Sequence, residues 1–110
     1  MAECIFCKIS RHEVPSDVVA EDEAAIVFKD IHPKAETHFL IVPKKHIHSV
    51  LAVEPEDWGL VAGLIKKAAE VARERGLTGY KLVFNVGREG GQVVDHLHLH
   101  LLAGKNIELP

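Results

Sequence analysis

Apolar positions along this chain follow two rhythms, one of period two and one of period 3.6, and they predict most of its elements. Val18 to Ala20 and Ala24 to Lys29 are apolar, β-branched stretches on either side of Glu21-Asp22-Glu23, which predicts a hairpin. Thr37 to Val42 predicts a third strand closed by Pro43, with a helical turn over Lys44 to Val50. Tyr80 to Val86 and Val93 to Leu102 predict two more strands around a glycine-bearing connection, Gly87 to Gln92. The 3.6 rhythm is clearest after Pro55. Trp58, Val61, Ile65, Ala68 and Ala72 recur at helical spacing, acidic Glu54, Glu56 and Asp57 suit the start, and Arg73, Arg75 and Gly76 suit the end. That predicts an amphipathic helix of about twenty residues, with Trp58 as a core or interface anchor. Cys4 to Ile9 predicts one or two turns of short helix, stopped by Val14-Pro15-Ser16. The expected class is α+β: a five-stranded, mostly antiparallel sheet with one long and one short helix. One sheet face covered by one helix leaves apolar surface over, so a homodimer is expected.

Composition narrows the function. The chain has 110 residues, enough for a single domain over 1–110, and its 47% hydrophobic content fills one core. A net charge of -3 argues against clamping a nucleic-acid backbone, so no nucleic-acid partner is expected. No apolar run approaches the roughly 20 residues that span a bilayer, and the N-terminus shows no signal-peptide core. No membrane partner and a cytoplasmic location are therefore expected. Two cysteines spaced Cys4-x-x-Cys7 are too few for a disulfide framework and suit a metal or a reduced thiol pair.

Eight histidines are the unusual feature, and three of them alternate with leucine in His96-Leu97-His98-Leu99-His100. On a strand, neighbouring imidazoles of that run lie roughly 6.6 Å apart on one face while the leucines enter the core. Three readings compete: a solvated strand face, zinc ligands of a hydrolytic site, and a phosphate-handling cluster in which a neutral imidazole attacks phosphorus. The preceding Asn85-Val86-Gly87-Arg88-Glu89-Gly90-Gly91-Gln92 favours the third, because glycines let backbone N–H groups approach phosphate oxygens. No Gly-x-Ser-x-Gly elbow or Walker-type loop offers another nucleophile.

The run at 96–102, with Asn85-x-Gly87-x-x-Gly90-Gly91-Gln92 before it, resembles the histidine triad (HIT) superfamily. Ile5-Phe6-x-Lys8-Ile9, Phe28-x-Asp30-Ile31-x-Pro33 and Thr37-His38-Phe39-Leu40-Ile41-Val42-Pro43-Lys44-Lys45-His46 are similar to its Hint branch, so the resemblance covers nearly the whole chain. It implies a homodimer joined through the long helix and a strand into a ten-stranded sheet. It also implies hydrolysis of purine nucleoside 5′-phosphoramidates through a covalent nucleotidyl-histidine, with no organic cofactor. By that resemblance His98 is the nucleophile and His100 binds the α-phosphate and assists the leaving amine. Asn85, Gly91 and Gln92 contact phosphate and ribose, Asp30 holds the ribose, and Phe6, Phe28 and Ile31 enclose the base.

Two departures stand out: Val93 occupies a position where many Hint members carry serine, and Ile107-Glu108-Leu109-Pro110 lacks a tryptophan found in some animal members. The first puts the leaving-group side of the site in question, the second any selectivity carried by that tail. Some bacterial relatives with the Cys-x-x-Cys hold structural zinc, which by resemblance assigns Cys4, Cys7, His46 and His96 as its ligands. His12, His32, His38 and His48 are expected at the surface or as satisfied strand residues. A dinucleoside polyphosphate hydrolase of the Fhit type, a non-catalytic nucleotide-binding module and a zinc-dependent hydrolase are the competing functions.

Overall fold

In the computed structural model, which describes residues 4–110, the elements run α1 (Ile5–Ser10), β1 (Val18–Glu21), β2 (Ala25–Lys29), β3 (Thr37–Pro43), α2 (Trp58–Glu74), β4 (Lys81–Val83) and β5 (Leu99–Ala103). The five strands form one antiparallel sheet in the order β1-β2-β3-β5-β4, which is the α+β arrangement expected.

Period-two alternation sorts strand side chains between the two faces. Ala25, Val27, Phe39, Ile41, Leu99 and Leu101 pack with Val61, Leu64, Ala68, Val71 and Ala72 of α2. Each large aliphatic side chain buried there contributes about 1.5–3 kcal/mol of hydrophobic stabilisation. Ile26, Phe28, Leu40 and Val42 point the other way and meet Phe6 and Ile9 of α1. Among the described residues the second face is covered by a helix of six residues with Val14 and Val94 beside it. That short cover leaves room for a cavity, and His98 and His100 face it.

Several boundaries differ from expectation for identifiable reasons. The helical rhythm is real, but the buried stripe is Val61, Leu64, Ala68, Val71 and Ala72; Trp58 is 51% exposed and Ile65 46% exposed, so Trp58 is no core anchor. A 3₁₀ turn at Pro55–Asp57 precedes α2, and the helix ends with Gly76 at φ 70°, whose N–H bonds Arg73 O. The helical turn expected over 44–50 is absent; a 3₁₀ turn occupies Val50–Ala52 instead. Strand β4 stops at Val83 because the chain then turns into the glycine loop, and β5 begins only at Leu99. Before that point Leu97 N–H bonds Ile47 O, outside the sheet ladder.

One tight turn yields a prediction. Gly104, directly after β5, has φ 109°, and an added Cβ would lie 2.7 Å from Glu36 Cβ. Both backbone conformation and space therefore oppose a side chain. Gly104→Ala is expected to lower stability by about 1–3 kcal/mol, read as a reduced urea midpoint with an unchanged slope.

Candidate active site

His98 sits one residue before β5 and is 6% exposed. Its Nδ1 lies 2.7 Å from the His96 carbonyl oxygen, so that nitrogen carries the proton and donates. The lone pair is therefore at Nε2. Burial pushes His98 below the usual imidazole range, against the upward pull of the His96 carbonyl, which keeps the ring neutral at pH 7.

His100 is arranged the opposite way, and its tautomer follows from a chain of bonds. Lys34 N–H donates to His38 Nδ1 at 3.0 Å, so His38 carries its proton at Nε2. That Nε2–H donates to His100 Nδ1 at 2.9 Å, with Asp30 Oδ2 3.4 Å from the same nitrogen. His100 is left with an Nε2–H, and among the described residues this is the buried side-chain nitrogen or oxygen that has no partner. Burial, reinforced by the neighbouring His98 and His38, pushes His100 down to about 4, so it too is neutral. The His98 and His100 ring centroids are 4.9 Å apart. A lone pair and an unsatisfied N–H donor stand side by side.

Both rings open into a cavity of about 390 Å³ lined by Ile5, Phe6, Phe28, Leu40, Asp30, Ile31 and Val93. Phe6 meets Phe28 edge-on at 5.5 Å and His98 edge-on at 5.1 Å, forming the inner wall. Ile31, 85% exposed, and Val93, 79% exposed, stand at the mouth. Asp30 Oδ1 accepts the His32 N–H at 2.8 Å, which still leaves the carboxylate acceptor capacity.

Asn85, Gly91 and Gln92 do not line the cavity. Gln92 is 3% exposed; its Oε1 accepts Gly87 N–H, and its Nε2 donates to His48 O and Val94 O. Gly90 and Gln92 N–H both bond Gly87 O, while Gly91 N–H bonds Arg88 O. Asn85 Nδ2 donates to Pro110 O. The glycine loop is thus a closed turn in which the Gly87, Gly90, Gly91 and Gln92 N–H groups are bonded internally, and Gln92 ties it to Val94 and His48. His12, His32 and His48 are exposed, as expected, and His38 is a satisfied strand residue. Its partner makes it part of the site, which sequence spacing did not reveal; the one hint was a histidine inside the apolar run of β3.

Beside the cavity, Cys4, Cys7, His46 and His96 place their ligand atoms within 4.8 Å of one another. His96 Nε2–H donates to Pro43 O at 2.8 Å, which turns the Nδ1 lone pair toward the thiols. His96 Nδ1 is 3.3 Å from Cys4 Sγ, 3.5 Å from Cys7 Sγ and 3.1 Å from His46 Nδ1. Tetrahedral zinc with usual bond lengths has ligand edges of about 3.4–3.8 Å, so a small expansion would seat it. The soft sulfur and nitrogen donors fit zinc. Asp30, His38 and His100 also cluster, but there His38 Nε2 is protonated by the tautomer argument, so that group fits a hydrogen-bond relay and not a cation.

The chain is similar to several known proteins along nearly its whole length. Residues 3–108 match the family model described as scavenger mRNA decapping enzyme C-term binding. An uncharacterised HIT-like protein of Synechocystis sp. is 46% identical, over 100% of this chain and 98% of that protein. Among solved structures, a HIT family hydrolase from Legionella pneumophila Philadelphia 1 is 47% identical with a TM-score of 0.92, covering 98% of each chain. A histidine triad nucleotide-binding protein from Candida albicans is 34% identical with a TM-score of 0.79, over 98% of this chain and 80% of that one. A zinc-bound histidine triad family protein from Mycobacterium smegmatis is 33% identical with a TM-score of 0.80, over 94% and 76%.

Proposed function

The chain belongs to the histidine triad family, and on that premise we propose that it hydrolyses nucleoside 5′-phosphoramidates at the α-phosphorus through a covalent intermediate on His98. The observation that carries this reading is the pairing of a buried His98 lone pair with the unsatisfied His100 N–H in one apolar cavity.

The purine rests between Phe6, Phe28 and Ile31, and Asp30 accepts the ribose hydroxyls. The His98 Nε2 lone pair forms a bond to phosphorus as the P–N bond to the leaving amine breaks. The bond pair goes to the amine nitrogen, which takes a proton from solvent while the His100 Nε2–H hydrogen-bonds it; neutral His100 keeps its own proton, since losing it would leave an imidazolate. His98 becomes cationic in this step, and its Nδ1–H bond to the His96 carbonyl strengthens as that charge develops. Water then attacks phosphorus and gives its proton to solvent; the N–P bond pair returns to His98, and AMP leaves. Val93 faces the leaving-group side without a hydroxyl to offer. Asn85, Gly91 and Gln92 serve by holding the loop.

His38 keeps His100 in the donating tautomer. His38→Phe is expected to lower kcat by about 10–100-fold with little change in KM, measured by steady-state AMP release.

Cys4, Cys7, His46 and His96 would hold a structural zinc, which when bound ties α1 to the histidine segment. The chain's partner is a second copy of itself: Trp58 and Ile65 on α2 and Leu82 on the edge strand β4 are exposed, and β4 pairing with its counterpart gives ten strands. A cytoplasmic setting suits the reduced thiols of Cys4 and Cys7, and no described helix is long and apolar enough to cross a membrane.

The test supplies purified protein with adenosine 5′-phosphoramidate and, separately, diadenosine polyphosphate, and follows AMP. Phosphoramidate cleavage should dominate. Preference for the dinucleotide would favour the Fhit-type reaction, and nucleotide binding without turnover of either would favour a binding module.

A further inference from the structure

His98 owes its orientation to two contacts besides its neighbour His100, and both lead to the thiol–histidine tetrad. The first is the His96 carbonyl, which takes the His98 Nδ1–H at 2.7 Å, while the His96 ring supplies Nδ1 to the tetrad. The second is the Phe6 ring, perpendicular to His98 at 5.1 Å between centroids and edge-on to His96 at 6.0 Å. Phe6 lies between Cys4 and Cys7 in the chain, so fixing both sulfurs holds the backbone on either side of it. Cys4 is the non-helical residue that starts α1 and Cys7 lies within that helix, so the tetrad joins both ends of its first turn to the histidine segment.

We propose that the Cys4, Cys7, His46 and His96 tetrad, when metal-loaded, positions the nucleophile through Phe6, which makes Phe6 a lever between the metal centre and His98 as well as a wall of the cavity. This rests on the reading of His98 as nucleophile. The aromatic edge presses on one side of the imidazole and the His96 carbonyl holds another, so the ring cannot tilt without breaking one contact. Loss of the metal frees His96 and α1 together, and a displacement of an ångström at an attacking atom costs roughly 10- to 100-fold in rate. Leucine at position 6 keeps the wall apolar and removes the ring edge.

Phe6→Leu is expected to lower kcat roughly 10-fold or more, leave KM within about two-fold and leave metal content unchanged. Stripping metal from the wild type should give a fall of the same size, and stripping it from Phe6→Leu should add little. Equal falls that simply multiply in the stripped variant, or an unchanged kcat in the stripped wild type, would overturn the lever. Two readouts stand apart from turnover. In metal-loaded protein with cobalt in place of zinc, the ligand-field absorption should shift on addition of AMP in the wild type and remain still in Phe6→Leu. The His98 Nδ1–H proton resonance should also move between zinc- and cobalt-free cadmium-loaded samples. If AMP and the metal exchange leave both signals unmoved, the tetrad is structural only, even where turnover is intact; shifted signals without any turnover would instead discard the nucleophile reading and keep the coupling.

Discussion

His98→Ala is expected to lower kcat/KM for adenosine 5′-phosphoramidate by about 10⁴-fold or more, equivalent to roughly 5.5 kcal/mol of transition-state stabilisation. The size follows from the route: without an Nε2 lone pair there is no covalent intermediate, and water must displace the amine directly. Binding should survive. Most of the cavity wall is Ile5, Phe6, Phe28, Leu40 and Ile31, and Asp30 is untouched by the change. AMP affinity should therefore move only a few-fold, measured by calorimetry on the same preparation. Quenching into alkaline denaturant during turnover should trap up to one adenylyl group per chain in the wild type and none in the variant. Retention of more than about a hundredth of the wild-type rate would remove His98 as nucleophile.

A comparison with His100→Gln separates the two roles. Loss of the His100 N–H should hurt basic amine leaving groups most, because their departing nitrogen depends most on a hydrogen bond as charge builds, and hurt aromatic amines of lower basicity least. Loss of His98 should be indifferent to the amine. The two variants thus differ in the slope of rate against leaving-group basicity as well as in the rate itself.

How far these roles were legible in the sequence depends on whether the physics was local. Alternation in His96 to Leu102 is a local property, and it correctly sent Leu99 and Leu101 to the α2 face while the imidazoles went to the other. The helical stripe was found, but Trp58 and Ile65 at the right spacing proved exposed, since periodicity gives a face and only the fold says how wide the covered part is. His38 could not be assigned from spacing. Its bond to His100 spans 62 positions and arises because β3 and β5 pair with Leu40 opposite His100 and His38 opposite Leu102. The glycine loop is a non-local case too: its composition permits an open row of donors, and only the hydrogen bonds of Gln92, Gly90 and Gly91 show which N–H groups are paired within the loop. The tetrad lay between these cases. Cys-x-x-Cys is local, whereas the approach of His46 and His96 depends on β3 and the histidine segment running side by side.

Acid should destabilise this protein well above the pH at which its carboxylates titrate. His96 and His100 are pushed by burial from the usual 6.5 to about 4, and burial also lowers His98 and His38. Between about pH 6.5 and 4 the unfolded chain therefore binds protons that the folded chain refuses. More protons on the unfolded state means that stability falls as pH falls, with the loss complete once pH passes the folded-state values near 4. A displacement of this size corresponds to about 3 kcal/mol for each of His96 and His100, a large share of the roughly 5–15 kcal/mol that holds a typical domain together. The carboxylates act lower. Asp22 is held at about 2, chiefly by its bond to Lys67, so its contribution is lost only as pH falls from the ordinary carboxylate range toward that value. Metal on the tetrad works in the same direction as the histidines, because protons compete with it for His46, His96 and the thiols. Urea midpoints measured from pH 7 to pH 4.5 should fall throughout, most steeply near pH 5, where a free imidazole is charged and the buried rings are still neutral. A midpoint that stays level down to pH 5 would mean that these rings accept protons while folded, and it would remove the basis for a neutral His98 waiting beside a neutral His100.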